Sequence, residues 1–316
     1  MDVDNNVINY LSVRLRGFFA GWENISDIRE IRLRTGRAMI VCMRGGERIV
    51  TTGGGERIAT KDGMPVIVGK EDIKETLEYI SNYSLYAYEE EIKKGFITMN
   101  GGNRVGLCGR VVYEAGSIKT IRNICTVNIR MAHQIRGCSD MIMDKLYEST
   151  GKDIYNTLIV SAPCCGKTTL LRDIVRNISD GFMGHAGMTV GIADERSEIA
   201  ACNMGVPQND VGMRTDVLDG CMKSQGMMML IRSMSPGVVA VDEIGSDDDV
   251  QAIRYAVNCG CRIIATVHAT SMEELYHKIP LKPLLGEKVF GRIILLGNRE
   301  HIGSITGIYD GEGNII

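Results

Sequence analysis

The chain has 316 residues, 44% hydrophobic and 24% charged, and a formal net charge of −3 at neutral pH. That length leaves room for two domains that each bury a core, and the slightly acidic balance argues against a broad, non-specific nucleic-acid-binding surface. The ten cysteines are scattered, and the close pairs Cys164-Cys165 and Cys259-x-Cys261 lack zinc-ligand spacing, so they read as reduced thiols of a cytosolic protein.

The chain opens with Met-Asp-Val-Asp-Asn-Asn, which is acidic and polar and does not read as a secretory signal. No window approaches the roughly 18 uninterrupted apolar residues of a membrane span. The longest candidate, Met227 to Ile231, is cut short by Arg232. Val7 to Phe19 places Ile8, Leu11, Leu15 and Phe18 at three- and four-residue steps and predicts an amphipathic helix. Asp27–Arg34 and Arg37–Val41, joined at Thr35-Gly36, read as two short strands. Gly53-Gly54-Gly55 marks a loop. Lys70 to Tyr83 and Leu85 to Lys94 read as helices, the second ended by Gly95. Strands follow at Phe96–Met99, Arg104–Tyr113 and Ile118–Arg130, with turns at Asn100-Gly101-Gly102 and Glu114–Ser117. Residues 1–135 thus read as an α+β domain, and Gln134 to Tyr155 as a helix leading into a second domain, 136–316. Arg32, Arg34, Arg104, Arg110, Arg122 and Arg130 fall on these strands. They suit either a salt-bridged sheet face or, for some of them, arginines reaching a neighbouring subunit's nucleotide.

The centre of the second domain is Asn156 to Arg172. Thr157 to Val160 reads as a buried strand, Ser161-Ala162-Pro163-Cys164-Cys165 as a tight loop, and Gly166-Lys167-Thr168-Thr169 as the start of a helix. Strand, small-residue loop and GK[ST] form the context of a phosphate-binding loop. Backbone N–H groups and the helix dipole favour an anion there, Lys167 would reach the β- and γ-phosphates, and the Thr168 hydroxyl would bind Mg²⁺. The pattern departs from the usual one at Ser161, where glycine normally stands, and at Cys164, where a second glycine often allows an unusual backbone angle.

Further on, Met188–Ala193 reads as a strand running into Asp194-Glu195-Arg196-Ser197-Glu198. Gly205 to Leu218 is loop-rich, and Cys221 to Met234 is helical. Val238–Val241 is an apolar strand closed by Asp242 and Glu243 and fits a Walker B site, with Asp242 holding Mg²⁺ and Glu243 activating water. Ser246-x-x-Asp249 predicts a capped helix from Asp248 to Asn258. Arg262–Thr266 is a further buried strand, and His268 follows at its C-terminal end, the edge where open α/β sheets bind ligands. Ser271-x-x-Glu274 caps another helix, and Gly291–Leu296 and Ser304–Tyr309 close the sheet. The repeated β-then-α units predict an α/β fold with a parallel sheet covered on both faces.

With these motifs in place, the chain resembles the stage III sporulation protein AA family. The resemblance is carried by Glu30-Ile-Arg-Leu-Arg34, Gly101–Arg110, Asp194–Ala200, Arg214–Cys221, Ser233-Met-Ser-Pro236, Val241–Gly245 and Ala265–Ala269. It implies a RecA-like ATPase domain of the secretion-ATPase kind behind an N-terminal domain, with ATP and Mg²⁺ as ligands and a hexameric ring as the assembly. It also implies a cytoplasmic location in the mother cell, at a membrane-embedded channel complex joining mother cell and forespore. On that resemblance Asp194–Glu198 occupies the place of an acidic box and His268 that of a histidine box, so Glu195 and Glu198 compete with Glu243 for the role of base. Two other readings are a nucleotide-gated scaffold with little turnover, which the Ser161 and Cys164 departures favour, and a nucleic-acid-stimulated ATPase, which the acidic net charge disfavours.

Overall fold

The computed structural model describes residues 7–20, 22, 25–43, 45–52, 64–132, 134–151, 153–297 and 302–316. Gly53-Gly54-Gly55 and the first six residues lie outside these. The chain forms two compact units, Met1–His133 and Gln134–Ile316.

The first unit is built on a six-stranded antiparallel sheet of β1 (Ile28–Arg34), β2 (Ile40–Met43), β3 (Gly46–Ile49), β4 (Phe96–Thr98), β5 (Arg104–Glu114) and β6 (Ser117–Arg130), in the order β3-β2-β1-β6-β5-β4. Among the described residues three short helices accompany it: α1 (Val13–Arg16), α2 (Lys70–Ile80) and α3 (Glu89–Lys93). Ile73, Leu77 and Ile80 of α2 join Leu15, Ile31, Leu33 and Val127 in the core. The helix expected over Val7–Phe19 is instead three short turns, Val7–Tyr10, α1 and Gly17–Phe19. Ser12 causes the break. Its fully buried hydroxyl donates to Asp72 and its backbone N–H to Thr76, both on α2, so these tertiary bonds replace a continuous helical ladder. The apolar spacing still does most of its work: Ile8, Leu11 and Leu15 are buried, whereas Phe18 is only half-buried and Phe19 fills the core in its place.

The second unit holds α4 (Met143–Leu146), β7 (Thr157–Ser161), α5 (Lys167–Asp180), the small hairpin β8 (Gly181–Phe182) and β9 (His185–Ala186), and β10 (Val190–Asp194). It continues with β11 (Thr215–Asp219), α6 (Lys223–Met234), β12 (Val238–Val241), α7 (Asp247–Asn258), β13 (Arg262–His268), α8 (Met272–His277), α9 (Lys282–Gly286), β14 (Arg292–Leu296) and β15 (Ile305–Asp310). Seven strands form one sheet in the order β11-β10-β12-β13-β7-β14-β15. All neighbours pair in parallel except β14 and β15. Alternate residues of each central strand go to opposite faces. Ile159, Val238, Ala240 and Ile264 pack with Leu171 and Ile174 of α5. Leu158, Val160, Val239, Val241 and Ile263 pack with Met227 and Leu230 of α6 and Ile253 of α7. Covering both faces is why these strands read as unbroken apolar runs.

One sequence expectation fails in this unit and another is refined. Gln134–Tyr155 is not a helix: beyond a 3₁₀ turn at Asp140–Ile142 its described residues contain only the single turn α4. The backbone N–H groups of Gly137 and Ser139 donate to the Asp173 carboxylate of α5, which fixes this segment as an irregular strap. The loop-rich stretch Gly205–Leu218 ends in an edge strand, β11, paired in parallel with β10.

Candidate active site

The strand order sets the site. β13 lies between β7 and β12, so three C-terminal strand ends stand side by side. β7 delivers Ser161 and the loop to α5, β13 delivers His268, and β12 delivers Asp242 and Glu243.

The loop turns through left-handed backbone at Cys164 (φ 63°) and Gly166 (φ 97°) before α5 begins. Gly166 is the N-cap, and among the described residues no side chain satisfies the start of this 14-residue helix. The alternation of left-handed residues and helix-start N–H groups gives a concave backbone of the kind that suits an anion. Ser161, standing where glycine is usual, does not have positive φ, and its buried hydroxyl donates to Ala162 O at 2.9 Å. Of the two departures from the usual loop, only Cys164 costs backbone strain. The Cys165 side chain is buried, and its carbonyl accepts from Gly303 N at 3.1 Å.

Lys167 is nearly fully buried, and its ammonium donates to Ala162 O at 2.9 Å, Ser161 O at 3.1 Å and His268 Nδ1 at 2.8 Å. Burial pulls Lys167 below the ordinary lysine range, opposed by the charges of Asp242 and Glu243. Because an ammonium has only donors, His268 Nδ1 is the acceptor and the ring proton sits on Nε2. Nε2 lies 2.5 Å from Glu243 Oε1. The other carboxylate oxygen, Oε2, lies 2.9 Å from Arg196 Nη1. Burial pushes the Glu243 carboxyl up, but the hydrogen bond from His268 and the charges of Arg196 and Lys167 outweigh it and hold the group below the usual range. Glu243 itself has φ 50°, a left-handed angle rare for a residue with a side chain.

The Thr168 hydroxyl donates to Asp242 Oδ2 at 2.7 Å. Thr266 of β13 donates to Asp242 Oδ1 and accepts from Glu243 N at 2.9 Å. Among the described residues no cluster of three or more His, Cys, Asp or Glu could hold a metal ion. Thr168 and Asp242 offer two oxygen donors, a set that suits Mg²⁺, which keeps water and phosphate oxygens for most of its shell.

The acidic stretch sits beside this arrangement. Asp194, Glu195, Arg196, Glu198, Lys223, Asp242 and Glu243 line one narrow cavity. Asp194 is structural: its buried carboxylate accepts from the N–H groups of Glu198, Ile199 and Ala200, and burial raises it to about 6 against those bonds. Glu195 is paired with Lys223 of α6 at 3.0 Å. The buried Arg172 holds the carbonyls of Glu198 and Ile199. Thr266, Lys223 and the Arg196–Glu243 pair are not legible from motif spacing. Thr266 and Lys223 join the site only once strand order is known, and Arg196 carries no signal beyond its place in the acidic stretch.

A parallel sheet with a phosphate-binding loop, a neighbouring strand ending in His268 and a further one ending in Asp242-Glu243 defines the fold of the P-loop secretion ATPases. The solved structures it is similar to bear this out. One is the pilus retraction motor PilT with bound ADP, at TM-score 0.54 and 14% identity, covering 85% of this chain and 74% of that one. Another is the Legionella pneumophila ATPase DotB, at TM-score 0.50 and 13% identity, covering 85% and 72%. The chain belongs to the family described as sporulation stage III, protein AA, whose profile matches residues 1–316. It is 41% identical over 294 residues to stage III sporulation protein AA of Bacillus subtilis (strain 168), covering 92% of this chain and 89% of that protein.

Proposed function

We propose that this protein is a Mg²⁺-dependent ATPase that assembles as a homo-oligomeric ring, a hexamer by analogy with the secretion motors, and powers or assembles a sporulation membrane channel between mother cell and forespore. The observation that supports it best is the unbroken line Lys167–His268–Glu243 beside the Thr168–Asp242 pair, all at one sheet edge. The segment 161–169 cradles the phosphates through backbone N–H groups, and Lys167 leaves its loop carbonyls for phosphate oxygens. Thr168 and Asp242 would hold Mg²⁺, which would neutralise phosphate charge when bound. Glu243 orients a water and takes its proton, and His268 keeps the glutamate in register with Lys167. Glu195 and Glu198 remain rival bases, and Lys223's hold on Glu195 disfavours that residue.

Among the described residues no helix is long and apolar enough to cross a membrane, so in this reading the protein reaches the channel by docking on its membrane-embedded subunits. The Lys167→Ala variant is expected to lose nucleotide binding, whereas Glu243→Gln keeps it and loses turnover by about 10²-fold or more. Chelating Mg²⁺ should stop phosphate release in the wild type. Equal loss of binding in both variants would overturn the separate roles of Lys167 and Glu243. The strain at Cys164 and the double hold on Glu243 favour a second reading, a nucleotide-gated scaffold. Tight binding without turnover, even in the assembled form, would select it.

A further inference from the structure

The turn after β10 places Arg196 against the glutamate proposed as the base, a contact to which the ATPase mechanism assigns no role. The Arg196 side chain is 63% exposed, yet its guanidinium is turned inward to Glu243 Oε2 at 2.9 Å. His268 takes Oε1 of the same carboxylate. Each oxygen of Glu243 is thus engaged by a separate donor, on a residue already fixed in left-handed backbone. His268 is in turn held by Lys167, which is bound to the carbonyls of Ser161 and Ala162. The acidic stretch is thereby tied to the phosphate-binding loop through four side chains in series, Arg196, Glu243, His268 and Lys167. Three neighbouring acids are engaged elsewhere: Asp194 by three backbone N–H groups, Glu195 by Lys223, and Asp242 by Thr168 and Thr266.

We infer that Arg196 is a positioning residue that restrains Glu243: with His268 it closes off both carboxylate oxygens, and Glu243 turns over substrate only as Arg196 swings outward. The inference rests on the ATPase reading. Two features make the restraint reversible. Arg196 is mostly in solvent, so its departure gives up little buried contact and returns the guanidinium to water, and an ion pair with one exposed member is weak. A ligand that draws Lys167 from its loop carbonyls also removes the donor that fixes the His268 ring, so loading of the loop and release of Glu243 are linked through contiguous contacts.

The test compares wild type, Arg196→Ala, Arg196→Lys and Glu243→Gln. Steady-state phosphate release is read alongside equilibrium binding of a fluorescent ATP analogue. Arg196→Ala is expected to raise kcat by up to about fivefold, the span that an exposed ion pair is worth, and to tighten nucleotide binding by no more than that factor, because nucleotide breaks the pair. Arg196→Lys should stay near wild type, because the cation and not the packing is what restrains. In the nucleotide-free protein the Arg196 Nη resonances, assigned by their absence in Arg196→Ala, should be resolved through hindered rotation. They should collapse in Glu243→Gln and on adding a non-hydrolysable ATP analogue with Mg²⁺. A fall in kcat for Arg196→Ala, weaker nucleotide binding, or Arg196→Lys behaving like the alanine variant each overturns the inference while leaving the ATPase reading standing. A wild type that binds no nucleotide overturns the ATPase reading, and the inference falls with it.

Discussion

Cys164 shows how one residue position carries both legibility and cost. The spacing to Lys167 marks it as a place where glycine often stands, and the backbone there is left-handed, at φ 63°. A left-handed angle costs a residue with a Cβ about 1–2 kcal/mol, part of which glycine returns through its freer unfolded chain. Cys164→Gly is therefore expected to raise unfolding stability by about 0.5–1 kcal/mol, read as a higher urea midpoint. A midpoint unchanged or lower would mean that the loop carries no strain at this position. Thr266 is the opposite case. Nothing near it in the sequence marks it, because its partners Asp242 and Glu243 come from another strand and meet it only through the parallel pairing of β12 with β13. Thr266→Val keeps the shape and removes the hydroxyl that links Asp242 to the Glu243 N–H. It is expected to cost about 1–3 kcal/mol and to weaken Mg²⁺-dependent nucleotide binding, whereas Thr266→Ser should retain most of both. Equal binding by the valine and wild-type proteins would remove Thr266 from the site.

The elements that were legible are those whose pattern is settled locally. β7, β10, β12 and β13 are each buried along nearly their whole length, and the Ser246–Asp249 capping box starts α7 as the spacing requires. Where a distant side chain takes over the backbone hydrogen bonds, periodicity misleads. Asp72 and Thr76 interrupt the helix expected at Val7–Phe19, and Asp173 replaces the one expected after Gln134. The β5–β6 ribbon adds a third kind of hidden constraint. Between Cys108 and Arg110 its register shifts, and the strand opposite crowds Gly109. A Cβ there would lie 2.6 Å from Arg122 O and 2.9 Å from Ile124 Cα. Gly109→Ala must push the two backbones apart and is expected to destabilise by about 1–3 kcal/mol. Gly106→Ala on the same strand, where the nearest atoms stand at 3.8 Å, should change stability by no more than about 0.5 kcal/mol. The pair of urea transitions separates local crowding from a general intolerance of β5, since comparable losses in both variants would point to the latter.

At the scale of the molecule, charge is divided unevenly. Residues 1–133 carry 19 Lys and Arg against 16 Asp and Glu, a net of +3, while residues 134–316 carry 17 against 23, a net of −6. A chain with one basic and one acidic unit suits head-to-tail association, in which unlike surfaces of successive copies meet and a ring closes when the rotation allows it. Arg110 and Arg122 sharpen the expectation. They stand directly opposite each other across β5 and β6, both exposed, an arrangement that disfavours the isolated ribbon and suits an acidic surface brought by a neighbour. If assembly is electrostatic in this way, salt should oppose it, because screening over about 8–10 Å near physiological ionic strength weakens contacts between exposed charges. Sedimentation is expected to show larger species at low salt that dissociate as ionic strength rises toward about 0.5 M. Phosphate release per chain should fall in step with them and recover as protein concentration increases. Reversing the charge at both Arg110 and Arg122 should give the dissociated behaviour even at low salt. Assembly that tightens with salt would instead place the contact on apolar surface and remove these arginines from it.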